Sequence, residues 1–182
     1  MKSLFILFTG LVISFSAFPQ NYITKAGHIW FFSDAPVEDI EAHNYQVTSI
    51  LKKETGEMVF KVLMKGFRFE KSLMQEHFNE KYVESDRFPE ATFKGKITNL
   101  EKVNFEKPGV YQVTVNGDLT IHGITQPVTA NGTMEVSEGK IIGKSKFNVK
   151  VEDYKINIPG AVKDNIAKVI DINVEMGYEP LN

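Results

Sequence analysis

Between Tyr111 and His122 apolar and polar positions alternate without a break. Tyr111, Val113, Val115, Gly117, Leu119 and Ile121 take one parity, and Gln112, Thr114, Asn116, Asp118, Thr120 and His122 take the other. Successive side chains of a strand point to opposite faces, so the segment predicts a strand with one dry and one wet face. The pattern recurs in Ala91–Thr98, Val128–Val136, Gly143–Glu152 and Ile170–Tyr178, and more weakly in Gly27–Ser33, Tyr45–Leu51 and Met58–Gly66. Short glycine-containing connections at Lys53–Gly56, Lys107–Gly109 and Ser137–Lys140 have hairpin length, and His122–Pro127 joins two long strands. One stretch breaks the alternation. In Phe69–Val83, Leu73, Met74, Phe78 and Tyr82 recur at helical spacing, and Ser72 with Gln75 offers a capping box. A shorter helical turn is expected within Ala161–Ala167. The reading is all-β: eight antiparallel strands, long enough for the tilted wall of a closed barrel, with one helix near one end.

The dry face is uneven. Small residues at Ala91, Gly95, Gly117, Ala130, Gly132, Gly143 and Ser145 interrupt its bulky ones. An eight-stranded barrel is just wide enough to be filled by its own side chains or to hold one ligand. Seven small residues subtract filling volume, which leaves two readings open: a cavity with an apolar occupant, or bend glycines in a tapered, filled core. In the hollow case the candidate ligand contacts are Phe60, Val62, Met64, Phe93, Tyr111, Val113, Val115, Leu119, Ala130, Met134, Phe147, Val149, Ile172 and Val174.

The N-terminus is an address. Met1-Lys2-Ser3 is basic, Leu4–Phe15 is apolar, and small residues follow, which predicts a secretory signal over 1–20 and a barrel domain over 21–182. The apolar run falls short of the ~20 residues a spanning helix needs, so no membrane anchor is expected after cleavage. The mature protein is expected to be periplasmic or secreted, and a homodimer is compatible with the sequence. Cysteine is absent, which removes disulfides, thiolate metal sites and thiol nucleophiles. A net charge of −2 with interleaved signs argues against a nucleic-acid partner.

Candidate chemistry is sparse. His28, His43, His77 and His122 show no ligand spacing, so no metal and no cofactor is expected. His122 is in phase with the wet face and reads as a turn residue, and His77 as a core-edge histidine. Glu38, Asp39 and Glu41 before His43 read as a solvated loop. No nucleophile elbow or phosphate-binding glycine motif is present, and the dry face offers a hydrolase only Ser145 and Tyr111. No enzymatic activity is expected.

The segments Phe88-Pro89-Glu90-Ala91-Thr92-Phe93-Lys94-Gly95 and Gly117-Asp118-Leu119-Thr120-Ile121-His122-Gly123-Ile124-Thr125, with Pro127-Val128 following, stand in order at the expected distance. On these the chain resembles the YceI family of exported, polyisoprenoid-binding-like proteins, and the likeness extends to Val174. The resemblance implies a lipocalin-like barrel that binds an amphiphile such as a polyprenyl chain, quinone or fatty-acid derivative, with no catalytic residues. The chain departs from the family's opening D-x-x-H-S phrase, which is replaced by Gly27-His28-Ile29-Trp30-Phe31. The alternative, from another class, is a filled-core barrel serving as a protein-interaction or envelope-stress module.

Overall fold

A computed structural model describes residues 21–181; the expected signal segment, 1–20, lies outside them. The strongest alternations form the central wall. β5 (Glu90–Ile97), β6 (Gly109–Ile121), β7 (Ile124–Ser137), β8 (Lys140–Lys150) and β9 (Val169–Pro180) follow one another as antiparallel neighbours. β1 (Asn21–Ser33), β2 (Ile40–Lys52) and β3 (Glu57–Leu63) complete the wall, and β1 pairs with both β9 and β2. That double pairing closes eight strands into a barrel, so no wall strand stands as a free edge. A two-residue β4 (Arg68–Phe69) attaches to β2 at Ala42 and His43.

β1 and β2 read weakly in sequence because each changes phase. In β1 the buried positions run Tyr22, Thr24, then Gly27, Ile29 and Ser33, and the register with β2 shifts on both sides of Gly27. In β2 they run Ala42, Asn44, then Val47, Ser49 and Leu51. Such bulges insert one residue and reverse the alternation. β2 also begins at Ile40, so Glu41 and His43 belong to a strand and not to the solvated loop expected there.

Between β3 and β5 lies the helical stretch, shorter than its periodicity predicts. α1 spans Ser72–His77 and passes into a π turn over Phe78–Tyr82. The expected capping box is not formed. Lys71 occupies the N-cap without a side-chain bond, and Gln75 instead accepts from the Phe69 amide at 3.3 Å. Pairing within β2–β4 thereby takes the glutamine that would have capped the helix. The expected Ala161–Ala167 turn appears as a short 3-10 turn at Gly160–Val162.

The β6–β7 connection is tighter than read from sequence. Ile121 pairs directly with Ile124, leaving His122 and Gly123 as a two-residue loop with φ of 51° and 73°. Two positive φ values are what a type I′ hairpin requires, because its twist matches that of the flanking strands.

Candidate functional site

The barrel is hollow. A cavity of about 570 Å³ runs through its interior, inside the size range of small-molecule pockets. One end is closed by Leu51, Ile97, Val136, Ile141 and Tyr178, each at most 4% exposed. There the Ser49 and Tyr178 hydroxyls hydrogen-bond each other at 2.7 Å, so the two polar atoms of the floor are turned on one another. Burial holds the Tyr178 phenol far above the ordinary tyrosine range. The other end opens beneath α1 and the 151–168 connection. From Val113 to Ile121 the wall of β6 lines the cavity; at about 3.4 Å per residue and about 40° of tilt, this gives a depth of ~20 Å.

Alternation accounts for which side chains face the interior. Phe60, Val62, Met64, Phe93, Val113, Val115, Leu119, Ala130, Met134, Phe147, Val149, Ile172 and Val174 all line the cavity. Tyr111 does not. It keeps the inward parity at the level of Met134, but its hydroxyl turns back to donate to the Lys107 carbonyl at 2.8 Å.

The small residues divide into two groups. Ala91, Ala130, Gly132, Gly143 and Ser145 border the cavity. Gly95 and Gly117 face each other across β5 and β6, and the Phe93 ring lies over both: a Cβ on either would come within 2.6 Å of its Cζ. The space they leave is filled by an aromatic ring. Gly132 answers a backbone demand, since a Cβ there would sit 2.3 Å from the Lys144 carbonyl oxygen.

Two parts of the mouth escaped the period-two reading. Phe31, Phe67, Phe69 and Phe78 form a cluster with ring centroids 5.1–5.7 Å apart, in the range of favourable aromatic pairs. Ile156, Ile158, Val162 and Ile166 come from the irregular 151–168 connection, where no periodicity marks an inward face. The charged groups of the lining gather at the rim, where Lys71 pairs with Glu38 and His77 and Asn165 stand nearby.

The wall has a seam. The β7–β8 ladder stops at Gly132 and Ser145, where Ser145 Oγ donates to the Asn131 carbonyl at 2.8 Å. Beyond it, the 151–168 connection fills the gap. Gln126 Nε2 donates to the Asp153 carbonyl at 2.9 Å, and His122 Nδ1–H to the Tyr154 carbonyl at 3.1 Å. His122 Nε2 lies 2.7 Å from a Glu84 carboxylate oxygen, and Phe88 packs edge-on against the ring. The imidazole is only 13% exposed, which corrects the wet-face expectation. The left-handed backbone of the turn swings it out of the strand's phase and into the gap. Tyr154, buried beneath, has its phenol pushed up to about 12 by desolvation, with the Asp153 charge adding to it.

Two further polar side chains buried near the cavity are paired. Ser33 Oγ accepts the Ala167 amide at 2.8 Å, and Asn44 Nδ2 donates to the Leu63 carbonyl at 2.8 Å. Among the described residues no three His, Cys, Asp or Glu side chains gather into a metal-binding group. The arrangement is one of shape and apolar contact. Of the two readings left by the sequence, the open interior agrees with the hollow one.

Solved structures share this architecture. A polyisoprenoid binding domain from Saccharophagus degradans, implicated in plant cell wall breakdown, superposes with a TM-score of 0.75 at 12% identity, covering 88% of this chain and 98% of that one. Burkholderia cenocepacia BcnA gives 0.69 at 14% identity, over 83% and 95%. A Campylobacter jejuni YCEI protein gives 0.56 at 14% identity, over 78% and 84%. At these identities the likeness speaks for the fold. No curated protein matches the chain in sequence. The model of the YceI-like domain matches residues 27–178, and the chain belongs to that family.

Proposed function

We propose that this protein is an exported, non-enzymatic binding protein that holds one apolar-chain amphiphile, tail inward, in the barrel. The observation that carries the reading is the one-ended apolar cavity of about 570 Å³. Its floor is walled by Leu51, Ile97, Val136 and Ile141 and carries no charged group, so the end that enters first is hydrocarbon. Association costs about 4–15 kcal/mol in lost freedom, and each buried methylene returns about 0.8 kcal/mol. A chain must therefore bury on the order of 5–19 methylenes merely to break even, which favours long chains over short acids. The head group rests at the rim, beside the Glu38–Lys71 pair and His77. Polyprenyl chains, isoprenoid quinones and fatty-acid derivatives meet these demands, and the polyisoprenoid-binding relative supports the first of them.

The test is native mass spectrometry and solvent extraction of protein purified from its own host. The expected result is a stoichiometric long-chain adduct that organic solvent removes and that the stripped protein takes up again. Protein recovered free of adduct, and unable to take up a polyprenyl, quinone or fatty-acid probe, would overturn the reading. Export predicts a processed N-terminus within Ser16–Asn21 in the extracytoplasmic fraction, and an intact Met1 in the cytoplasm would contradict it.

A further inference from the structure

On the outside of the barrel, away from the cavity, β1 and β2 carry His28, Trp30, His43 and Tyr45. Their rings stand nearly parallel. His28 lies between Trp30 and Tyr45, at centroid distances of 4.4 and 4.2 Å and angles of 20° and 13°. His43 flanks the stack, 20° from the plane of His28. The two histidines are 15 residues apart, and the antiparallel pairing with its bulge at Gly27 brings them together. His28 Nε2 and His43 Nδ1 end 3.0 Å apart.

That separation is informative. Two imidazole nitrogens each ~2.0–2.1 Å from one ion, and 3.0 Å from each other, subtend about 94° at the metal. Both nitrogens are thus within reach of a single ion, and a pair of imidazole donors favours Cu(II) among the divalent first-row ions. The far side of His43 is also furnished: its Nε2 stands 3.4 Å from a Glu41 carboxylate oxygen. A carboxylate behind an imidazole holds the hydrogen on that nitrogen and leaves the other bare for a metal. Stacking against Trp30 and Tyr45 limits ring rotation, so little ordering remains to be done on binding.

We propose that His28 Nε2 and His43 Nδ1 chelate one Cu(II) ion on the outer face of β1–β2, with Glu41 as the positioning carboxylate. Without metal, His28 Nε2–H donates to His43 Nδ1. On binding, His28 moves its hydrogen to Nδ1, both facing nitrogens give lone pairs to the ion, and no net proton is released. No third side-chain ligand is gathered at the pair among the described residues, so water takes the other positions. The site is independent of the cavity.

The chain contains a single tryptophan, and it stacks on His28. Trp30 emission therefore reports directly on a paramagnetic ion at this place. The full chain, free of any polyhistidine tag, is titrated with Cu(II) in a non-coordinating buffer. The expected result is saturable 1:1 quenching, with an EPR spectrum of tetragonal Cu(II) showing nitrogen splitting. His28→Asn and His43→Asn each abolish it, His77→Asn leaves it unchanged, and Glu41→Gln weakens binding about 10–100-fold. Zn(II), the weaker ion on imidazole donors, competes poorly. Thermal melts confirm that each variant is folded, with His28→Gln replacing the asparagine variant should that one melt early. Quenching that does not saturate, or that survives with parental affinity in either histidine variant, overturns the proposal.

Discussion

Replacing Ala130 by leucine separates a hollow barrel from a filled one through the sign of a stability change. Ala130 faces the cavity on β7, opposite Val115 of β6, and the ladder toward β8 begins two residues further along at Gly132. Leucine adds three carbons here. At about 0.8 kcal/mol per buried methylene they return up to ~2.4 kcal/mol if they settle in unoccupied space; forced into a packed core they cost about 1–3 kcal/mol. At about 2–4 °C per kcal/mol for a domain of this size, the outcomes differ by several degrees and in direction. The measurement is paired: the melting temperature of delipidated protein, and its uptake of a fluorescent long-chain fatty acid. The expected result is a melting temperature equal to or above the parent's, with uptake weakened at least about tenfold, the equivalent of 1.4 kcal/mol. A melting temperature several degrees lower with parental uptake would refute the reasoning. Gly132→Leu is the internal contrast. Its Cβ would meet the Lys144 carbonyl oxygen at 2.3 Å, so it destabilises whether or not the cavity is empty.

Gly117→Ala places a Cβ 2.4 Å from the Lys94 carbonyl oxygen and 2.6 Å from the Phe93 ring, and should cost about 1–3 kcal/mol in urea unfolding; a neutral result would mean that Phe93 does not cover the glycine pair. His122→Ala removes the bond to the Tyr154 carbonyl and leaves that buried acceptor unsatisfied, for an expected loss of about 1–3 kcal/mol, with faster amide exchange confined to the 151–168 connection; unchanged exchange there would refute its role in closing the seam. Tyr154, raised from 10.0 to about 12, keeps its proton in the folded state after the unfolded chain has lost it. Its contribution is complete below pH 10 and declines as pH rises toward 12, so alkaline unfolding and tyrosinate absorbance should rise together, and Tyr154→Phe should shift both upward. Tyrosinate absorbance for all tyrosines at pH 10 with an intact circular dichroism spectrum would contradict this.

Much of this architecture is legible in the order of residues alone, because a side chain in a strand has only two faces to choose from. Unbroken alternation in β6, β7, β8 and β9 assigned their inward residues, and thirteen of the fourteen candidates line the cavity. Where alternation was weak, as in β1 and β2, a bulge had reversed the phase midway, and one parity could not describe the strand. Parity also says which face a residue takes but not how far along the barrel axis it lies. Tyr111 therefore has the inward parity but stands near the floor end, its hydroxyl bonded to the Lys107 carbonyl, and does not line the cavity. Volume is a property of the assembly. Gly95 and Gly117 read as missing filling, yet a ring two residues from Gly95 covers them. The isoleucines of the 151–168 connection had no period to expose them and reach the cavity only because the β7–β8 ladder ends early. His28 and His43 show no ligand spacing along the chain; an antiparallel pairing of two strands sets the 3.0 Å between them. Local alternation is a backbone property that any stretch of strand carries with it. Closure, depth, cavity and the meeting of distant side chains come from pairings between strands, and those exist only once the barrel has closed.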